Sequence, residues 1–308
     1  MCYNTISYYT INQPQFTLML ITNNWKEYEL LDAGDGMKLE RWGHDNASYI
    51  LARPDPTIIW PKEQPGLWIK ADAIYTRSNT GLGKWDFKIP LPEKWEVQYK
   101  ALRFSVHPTD FKHMGLFPEQ AVNWDWMMDL IYKAKRSINV LNLFAYTGAA
   151  TIACLTAGAK VCHVDASKGI INWAKENAQL NGVGEPNVRF IIDDVLKFVE
   201  KEKRRGIKYD AIIMDPPSYG RGTKGETWKI EKMLWPLVAS CRDILSNEPL
   251  FFLINSYTTG LGTTVIKNVL ESAMIKFGGK TEAYEIVLPI SESKKLLPAG
   301  VCGRWQTK

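Results

Sequence analysis

From about residue 123 onward, short apolar runs alternate with amphipathic stretches, and no other feature of the sequence constrains the fold as strongly. The apolar runs cover residues 138–144, 160–165, 188–192, 209–215 and 250–256. The amphipathic stretches cover residues 121–135, 167–180, 194–203, 227–245 and 264–277. Continuous apolar runs are typical of strands buried on both faces, and helices between them supply the crossovers of a parallel sheet. The pattern predicts an α/β fold with a Rossmann-like, doubly wound, mostly parallel sheet.

The region before this alternation has a different texture, with short alternating runs separated by turns rich in Gly and Pro. It predicts a small β-rich domain over residues 21–105, in front of a larger domain over 106–308 and behind a flexible tail, 1–20. Six of the 12 tryptophans fall in the small domain. They fill a small core or form a stacking platform for bases, and the first interpretation is favoured.

Charge and cysteine content exclude several classes of protein. The 38 basic and 33 acidic residues give a net charge of +5, which permits a nucleic-acid partner without requiring one. Five scattered cysteines and four histidines form no metal-ligand spacing and no disulfide framework, so we expect reduced thiols and no metal. We see no leader peptide and no apolar run long enough for a membrane span. These features predict a cytoplasmic protein.

In open parallel sheets, ligands bind beyond the carboxyl ends of the strands, so the residues that follow each apolar run are the candidates. The first run ends in a turn at Gly148, which lets the backbone approach a ligand closely. The G-x-G-x-x-G pattern of dehydrogenases is missing there. Asp165 ends the second run and either accepts hydrogen bonds from a ribose or caps the next helix, a role that Ser167 fills equally well. Asp194 follows the third run. It either accepts a hydrogen bond from the amino group of an adenine or caps the next helix.

The fourth run ends in Asp215-Pro216-Pro217-Ser218-Tyr219, the strongest local signal in the sequence. Two prolines cannot continue a central strand, because proline donates no backbone hydrogen bond. They stiffen a turn that presents a carboxylate and an aromatic ring, which suits a flat polar ring as substrate.

In this order, the segments resemble class I S-adenosylmethionine-dependent methyltransferases, and more narrowly the bacterial enzymes that methylate cytosine C5 or guanine N7 in 23S ribosomal RNA. The resemblance implies S-adenosylmethionine as cofactor and ribosomal RNA as partner. It implies cofactor contacts from Asn142, Phe144, Tyr146, Thr147, Gly148, Asp165, Ala166, Ser167, Asp193, Asp194 and Asp215. It implies a catalytic turn at Asp215, Pro216, Pro217, Ser218 and Tyr219. Upstream, residues 111–120 resemble the family's K-T-G-x-F-x-D-Q segment, which packs over the cofactor, and this implies cofactor contacts from Lys112 and Gln120. The chain departs from that pattern with His113 in place of Thr, one extra residue before Gly115, and Glu119 in place of Asp.

The sequence indicates less directly which atom of the base receives the methyl group. The family's cytosine enzymes carry a cysteine in an F-S-C-S phrase after the fifth strand, and this chain has Asn255-Ser256-Tyr257 there. Guanine N7 or another purine position is therefore favoured over cytosine C5. Arg221 and Lys224, in the loop after the catalytic turn, are the candidate RNA contacts.

Three alternatives stay open at this point. The first is a methyltransferase that acts on a small molecule or on a protein. The second is a non-catalytic RNA-binding relative that retains the sheet. The third, and the least favoured, is a dehydrogenase.

Overall fold

The structure is a computed structural model that describes residues 19–45, 47–77, 83–221, 227–291 and 293–308. The strands in these ranges are β1 (Met19–Ile21), β2 (Tyr28–Gly34), β3 (Met37–His44), β4 (Ala47–Pro54), β5 (Ala73–Arg77), β6 (Gly83–Phe87), β7 (Trp95–Tyr99), β8 (Leu102–Val106), β9 (Asn139–Leu143), β10 (Lys160–Asp165), β11 (Val188–Ile192), β12 (Ala211–Met214), β13 (Tyr219–Arg221), β14 (Thr227–Lys229), β15 (Phe251–Ser256), β16 (Lys280–Pro289) and β17 (Leu296–Gln306). The α-helices are α1 (Pro65–Trp68), α2 (Ala121–Ala134), α3 (Ala149–Thr156), α4 (Lys168–Leu180), α5 (Val195–Arg204), α6 (Ile230–Asp243) and α7 (Thr263–Met274).

The main sheet has the order β1-β16-β17-β15-β12-β9-β10-β11 within the described ranges. All neighbouring strands are parallel except β17, which runs antiparallel to both β15 and β16. The chain proceeds from β9 outward through β10 and β11, and then returns to β12 on the other side of β9. This reversal opens a crevice at the carboxyl ends of β9 and β12. The predicted fold class, a doubly wound and mostly parallel sheet with an N-terminal β-rich part, is confirmed.

The N-terminal part consists of a second sheet, β2-β3-β4-β5-β6, and the hairpin β7-β8. One continuous cluster of buried side chains runs from Trp42 in this sheet through Phe104 and Trp124 to Val140 in the main sheet. Trp42 and Trp95 are buried, as the core interpretation of the tryptophans requires. The predicted boundary at residues 105 and 106 falls inside β8, so side chains from both sides of it share one core.

The predicted tail over residues 1–20 extends too far, because Met19 and Leu20 belong to β1. This strand pairs in parallel with β16 at the edge of the main sheet. Its three residues are too few to show a strand pattern, and they are held by pairing with β16 and by packing of Leu20 against the core. Residues 1–18 lie outside the described residues.

A buried ion pair joins the N-terminal sheet to the segment that precedes α2. Arg53 on β4 donates two hydrogen bonds to Glu40 on β3, and Glu40 is fully buried. The same guanidinium donates to the main-chain oxygen of Lys112 over 2.9 Å. Glu40 also accepts a hydrogen bond from Tyr28. The ion pair therefore fixes the backbone at Lys112 as well as the sheet.

The substitution Glu40→Gln should lower the free energy of unfolding by about 3–5 kcal/mol, because it leaves the Arg53 guanidinium buried without a counter-charge. Urea denaturation measures the effect. Asp129→Ala, which removes an exposed i,i+4 pair with Lys133, is the control and should cost less than about 0.5 kcal/mol. Equal losses in the two variants would contradict the role of the buried pair.

Candidate active site

A cavity lies at the carboxyl ends of β9, β12 and β15, and we call it the strand-end cavity. It is lined by Gln120 and Asn142, by the turn from Phe144 to Ala150, and by Asp215 and Asn255. The crevice at the sheet's reversal point thus brings together residues from motifs far apart in the sequence.

The turn between β9 and α3 has an unusual backbone. Phe144 and Tyr146 both have positive φ, 54° and 50°, and Gly148 follows with φ of 90°. Side chains other than that of glycine adopt this left-handed conformation only where the surroundings impose it. Gly148 is the N-cap of α3, and no side chain caps the first N–H groups of that helix. These N–H groups and the helix dipole favour an anionic group at this position.

Thr147 and Asn142 make hydrogen bonds within the protein. The Thr147 hydroxyl donates to the main-chain oxygen of Gly115, and its own main-chain oxygen accepts from Asn177 over 3.0 Å. The buried Asn142 amide donates to the Thr151 hydroxyl over 2.9 Å. Both predicted residues line the cavity, and both use these polar groups to hold the turn in place.

Asp165, at the end of β10, supports the same turn from the other side. One of its oxygens accepts from the main-chain N–H of Tyr146 over 3.1 Å, and the other from that of Ser167 over 3.0 Å. Burial raises the pKa of this carboxyl above its ordinary value. Ser167 is the N-cap of α4, where its hydroxyl accepts from the main-chain N–H of Ile170. The cap of α4 is therefore Ser167 and not Asp165, and Ala166 lies between the two.

Asp193 and Asp194 follow β11, and both have partners in the protein. Asp194 is the N-cap of α5 and accepts from the main-chain N–H of Lys197 over 3.0 Å. Asp193 lies 2.6 Å from the Lys201 ammonium. Neither residue lines the strand-end cavity. The structure therefore shows the capping role of Asp194, and a contact to adenine stays a prediction for both residues.

The Asp215 carboxyl lies at the end of β12 and faces the strand-end cavity. Burial, and next the nearby Glu119 carboxylate, raise its pKa to about 7. The turn that follows is braced on both sides: the Trp228 indole donates to the Pro217 oxygen over 2.6 Å, and the Ser218 hydroxyl lies 2.6 Å from that of Thr258.

The rest of the predicted turn leaves the cavity. Pro216 is buried, whereas Tyr219 is half exposed and opens the hairpin of β13 and β14. The backbone of Arg221 ends β13, and Lys224 lies outside the described residues.

Lys112 does not line the strand-end cavity, and its contact with the cofactor stays a prediction. It lines a neighbouring groove between the N-terminal sheet and the ends of β15 and β17, together with Lys38, Arg53 and Tyr257. Its ammonium donates to the main-chain oxygen of Pro54 over 3.2 Å. The sequence motif gives the position of this lysine along the chain but not the direction of its side chain.

Gln120 does line the cavity, and it belongs to a buried amide network that sequence reasoning missed. It donates to the Tyr257 hydroxyl over 2.8 Å and accepts from Asn123 over 2.7 Å. Asn123 also donates to Asn255 on β15 over 3.0 Å and accepts from Arg304 on β17. The one signal in the sequence is a polar Asn255 at the end of an otherwise apolar run.

Cysteine and metal chemistry find no support at this site. Cys154, Cys162, Cys241 and Cys302 are buried, and none of the four lines the strand-end cavity or the groove. Burial raises the pKa of the Cys162 thiol to about 11. Cys2 lies outside the described residues. Within the ranges that the structure describes, no cluster of metal-ligating side chains occurs, and no helix is long and apolar enough to cross a membrane.

Comparison with known proteins gives consistent matches. The family model of S-adenosylmethionine-dependent methyltransferases matches residues 75–260. The crystal structure of a SAM-dependent methyltransferase from Agrobacterium tumefaciens superposes with a TM-score of 0.88 at 36% identity, covering 94% of each chain.

Two curated relatives share parts of the sequence. A ribosomal RNA large subunit methyltransferase K/L from Shewanella frigidimarina is 37% identical over 132 residues, 42% of this chain and 18% of that protein. A ribosomal RNA large subunit methyltransferase I from Aeromonas salmonicida is 43% identical over 81 residues, 26% of this chain and 20% of that protein. The matched region thus spans about a fifth of the length of these relatives.

The substitution Gly148→Ala should weaken binding of S-adenosylmethionine by roughly 1–3 kcal/mol, or about 5- to 150-fold in Kd. A Cβ at this position strains the backbone and lies 3.1 Å from the Cβ of Ala174, so the turn must shift. Isothermal titration calorimetry measures the affinity. Gly158→Ala is the matched control, because Gly158 has φ of 94° in open space away from the cavity. It should lower stability without changing Kd, and a parallel loss of affinity would contradict the assignment.

The substitution Asp215→Asn should stabilise the cofactor-free protein in a pH-dependent way. The Asp215 carboxyl ionises above about pH 4 in the unfolded chain but only near pH 7 in the folded protein. Between these two pH values, its ionisation in the unfolded chain therefore lowers the free energy of unfolding. The gain of the variant should therefore be absent near pH 4, grow to roughly 1–4 kcal/mol at pH 7, and stay constant above. Urea denaturation from pH 4 to 8 measures the difference in the free energy of unfolding between the variant and the wild-type protein. A difference that is constant across this range would refute the raised pKa of Asp215.

Proposed function

This chain belongs to the S-adenosylmethionine-dependent methyltransferase family, and from that premise we propose that it methylates a base of ribosomal RNA at a purine ring nitrogen, with guanine N7 favoured over cytosine C5. Support for RNA as substrate comes from the relatives that are named as methyltransferases of large-subunit ribosomal RNA. Support for the purine comes from the chemistry at the end of β15, and this is the observation that carries the choice of atom.

The residues at the strand ends fit the cofactor. The uncapped first turn of α3 favours the carboxylate of its methionine part. Asp165 uses its two oxygens for one main-chain N–H each and keeps lone pairs that accept hydrogen bonds from ribose hydroxyls. Asp215 is a half-buried carboxyl with a raised pKa, and a positive group in the cavity would favour its ionised form. The bound cofactor supplies a methyl group on a positively charged sulfur, which needs no further activation.

The acceptor chemistry follows from what stands at the end of β15. Attack at cytosine C5 requires a nucleophile that first adds to the ring, and a thiolate is the usual one. Here the strand ends in Asn255 and Ser256, and Asn255 accepts a hydrogen bond from Asn123. A purine ring nitrogen such as guanine N7 carries a free lone pair, so it requires neither a covalent nucleophile nor a strong base. Precise placement then supplies much of the rate enhancement.

Asp215 is the proposed group that contacts the reacting atoms. Its rigid turn is held by Trp228 and Thr258, so the carboxyl keeps its direction when a substrate arrives. Ionised, it would stabilise the positive charge that passes from the sulfur to the purine ring as the S–C bond breaks and the N–C bond forms. Protonated, it donates a hydrogen bond to an acceptor on the base, such as the carbonyl oxygen of guanine.

The test is transfer of a tritiated methyl group from S-adenosylmethionine to unmodified large-subunit ribosomal RNA, either free or assembled in subunits, with a protein extract in parallel. Label in the RNA supports the proposal, and digestion to nucleosides identifies the atom. Label in the protein extract alone would overturn the substrate, and label at cytosine C5 would overturn the choice of atom.

In the same assay, Asp215→Ala should lower the transfer rate by roughly 100-fold or more, because it removes the charge at the reacting atoms. It should still bind S-adenosylmethionine, since α3 and Asp165 remain. Asp129→Ala, on the exposed face of α2, is the control and should retain the rate. Full activity of Asp215→Ala would exclude Asp215 from the chemistry.

A further inference from the structure

The groove beside the strand-end cavity has no role in the function proposed so far. Its walls are the N-terminal sheet, the segment from Lys112 to Glu119, and the ends of β15 and β17. Two features join it to the cavity. The Phe117 ring lines both spaces, and Thr258 in the groove lies at hydrogen-bond distance from Ser218 in the catalytic turn. A ligand in this groove therefore borders the place where the methyl group is transferred.

Two lysines on the N-terminal side of the groove have spare donors. The Lys38 ammonium lies 3.4 Å from Glu40 and 3.8 Å from Asp55, so these ion pairs are too long for good hydrogen bonds. The Lys112 ammonium donates one hydrogen bond, to Pro54. An ammonium has three N–H donors, so both groups can still bind an acceptor.

Both signs of charge occur around these lysines, because Asp55, Glu119 and Glu285 line the groove together with Lys38, Arg53 and Lys112. Arg53 is committed to Glu40 and to the main chain of Lys112. Burial lowers the pKa of Lys112; Asp55 opposes this effect, and the cations Lys38, Arg53 and Arg77 lower the pKa further. Burial and the same cations also lower the pKa of the neighbouring His113 to about 4, so this ring is neutral at pH 7. The spare N–H donors of Lys38 and Lys112, rather than a net positive charge of the groove, favour an anion such as a phosphate at this place.

An aromatic surface lies on the side of the groove nearest to the cavity. Tyr257 is 39% exposed, and its ring lies 5.5 Å from that of Phe117 at an angle of 36°. The Gln120 amide donates to the Tyr257 hydroxyl, which fixes the ring in the absence of any ligand. A pre-ordered ring beside a cluster of cations is the combination that binds single-stranded nucleic acid.

We propose that the groove binds the nucleotide whose base is methylated, with Lys38 and Lys112 on its phosphate and the Tyr257 ring against its base. This inference rests on the proposed function, since it requires an RNA substrate. It also reassigns Lys112 from the cofactor to the substrate.

The test compares Lys38→Gln, Lys112→Gln and the double variant with the wild-type chain. The probe is unmodified large-subunit ribosomal RNA transcribed in vitro, and Kd is measured by filter binding over a series of salt concentrations. Each single substitution should weaken binding about tenfold and lower the slope of log Kd against log salt concentration by about 1. Lys112→Arg should restore the slope. Lys160→Gln, at the opposite end of the main sheet, is the control and should change neither quantity.

The outcomes separate the two proposals. If the wild-type chain binds RNA and the double variant has the same affinity and the same salt slope, the proposal that the groove binds the nucleotide is overturned. The proposed function is not affected by that result. A wild-type chain that does not bind or methylate RNA would overturn both. A loss of S-adenosylmethionine affinity in Lys112→Gln, with RNA affinity intact, would return this lysine to the cofactor site.

Tyr257 provides a separate measurement. Tyr257→Leu should raise the KM for RNA about tenfold through the loss of base stacking, and Tyr257→Phe should keep KM near the wild-type value because it retains the ring. Equal effects of the two variants would show that Tyr257 acts through the hydrogen bond of its hydroxyl with Gln120 and not through stacking, which would contradict the proposed contact with the base.

Discussion

The backbone turn between β9 and α3 is the constraint on which the rest of the site depends. Phe144, Tyr146 and Gly148 all have positive φ, and for the two aromatic residues this conformation costs of order 1 kcal/mol or more each. The turn persists because its neighbours hold it. Asp165 on β10 binds the main-chain N–H of Tyr146, and Thr147 is joined both to Gly115 and to α4. Three separate parts of the chain therefore set the shape of one side of the cavity.

Those supports connect the cavity to the N-terminal part of the chain. Gly115 has φ of 85°, and a Cβ there would overlap the Trp173 ring on α4. The Trp173 indole donates to Ser105 on β8, and Ser105 in turn donates its main-chain N–H to Asn177, which holds Thr147. The hairpin β7-β8 is thus fixed to the helix that orders the turn. The N-terminal part therefore supports the cavity through its hairpin, while its sheet lines the neighbouring groove.

The sequence contains the strand and helix pattern of the main sheet, and with it the edge at which the site lies. It does not contain the sheet order: β17 inserts between β15 and β16, and a local pattern is the same whichever neighbour a strand takes. Ser167 and Asp194 show a second limit, because helix caps and ligand contacts require the same residue types. Lys112 shows a third, because its direction depends on the packing of Arg53, 59 positions earlier in the chain. The contact between Asn123 and Asn255 spans 132 positions and leaves no local pattern.

The pKa values of two carboxyls, Asp215 and Glu119, bear on the proposed cofactor site. Asp215 and Glu119 are two carboxyls in one buried region, each with its pKa raised chiefly by burial, and Glu119 raises that of Asp215 further. In the proposed site, a positive sulfonium next to Asp215 would have the opposite effect, because a nearby opposite charge favours the ionised carboxylate. Binding of the cofactor would therefore favour loss of a proton from Asp215 near neutral pH, and ionised Asp215 would favour binding of the cofactor in return. The demethylated product carries a neutral sulfur and would lack this attraction. The same carboxyl would thus favour the charged cofactor over its product and promote product release after transfer.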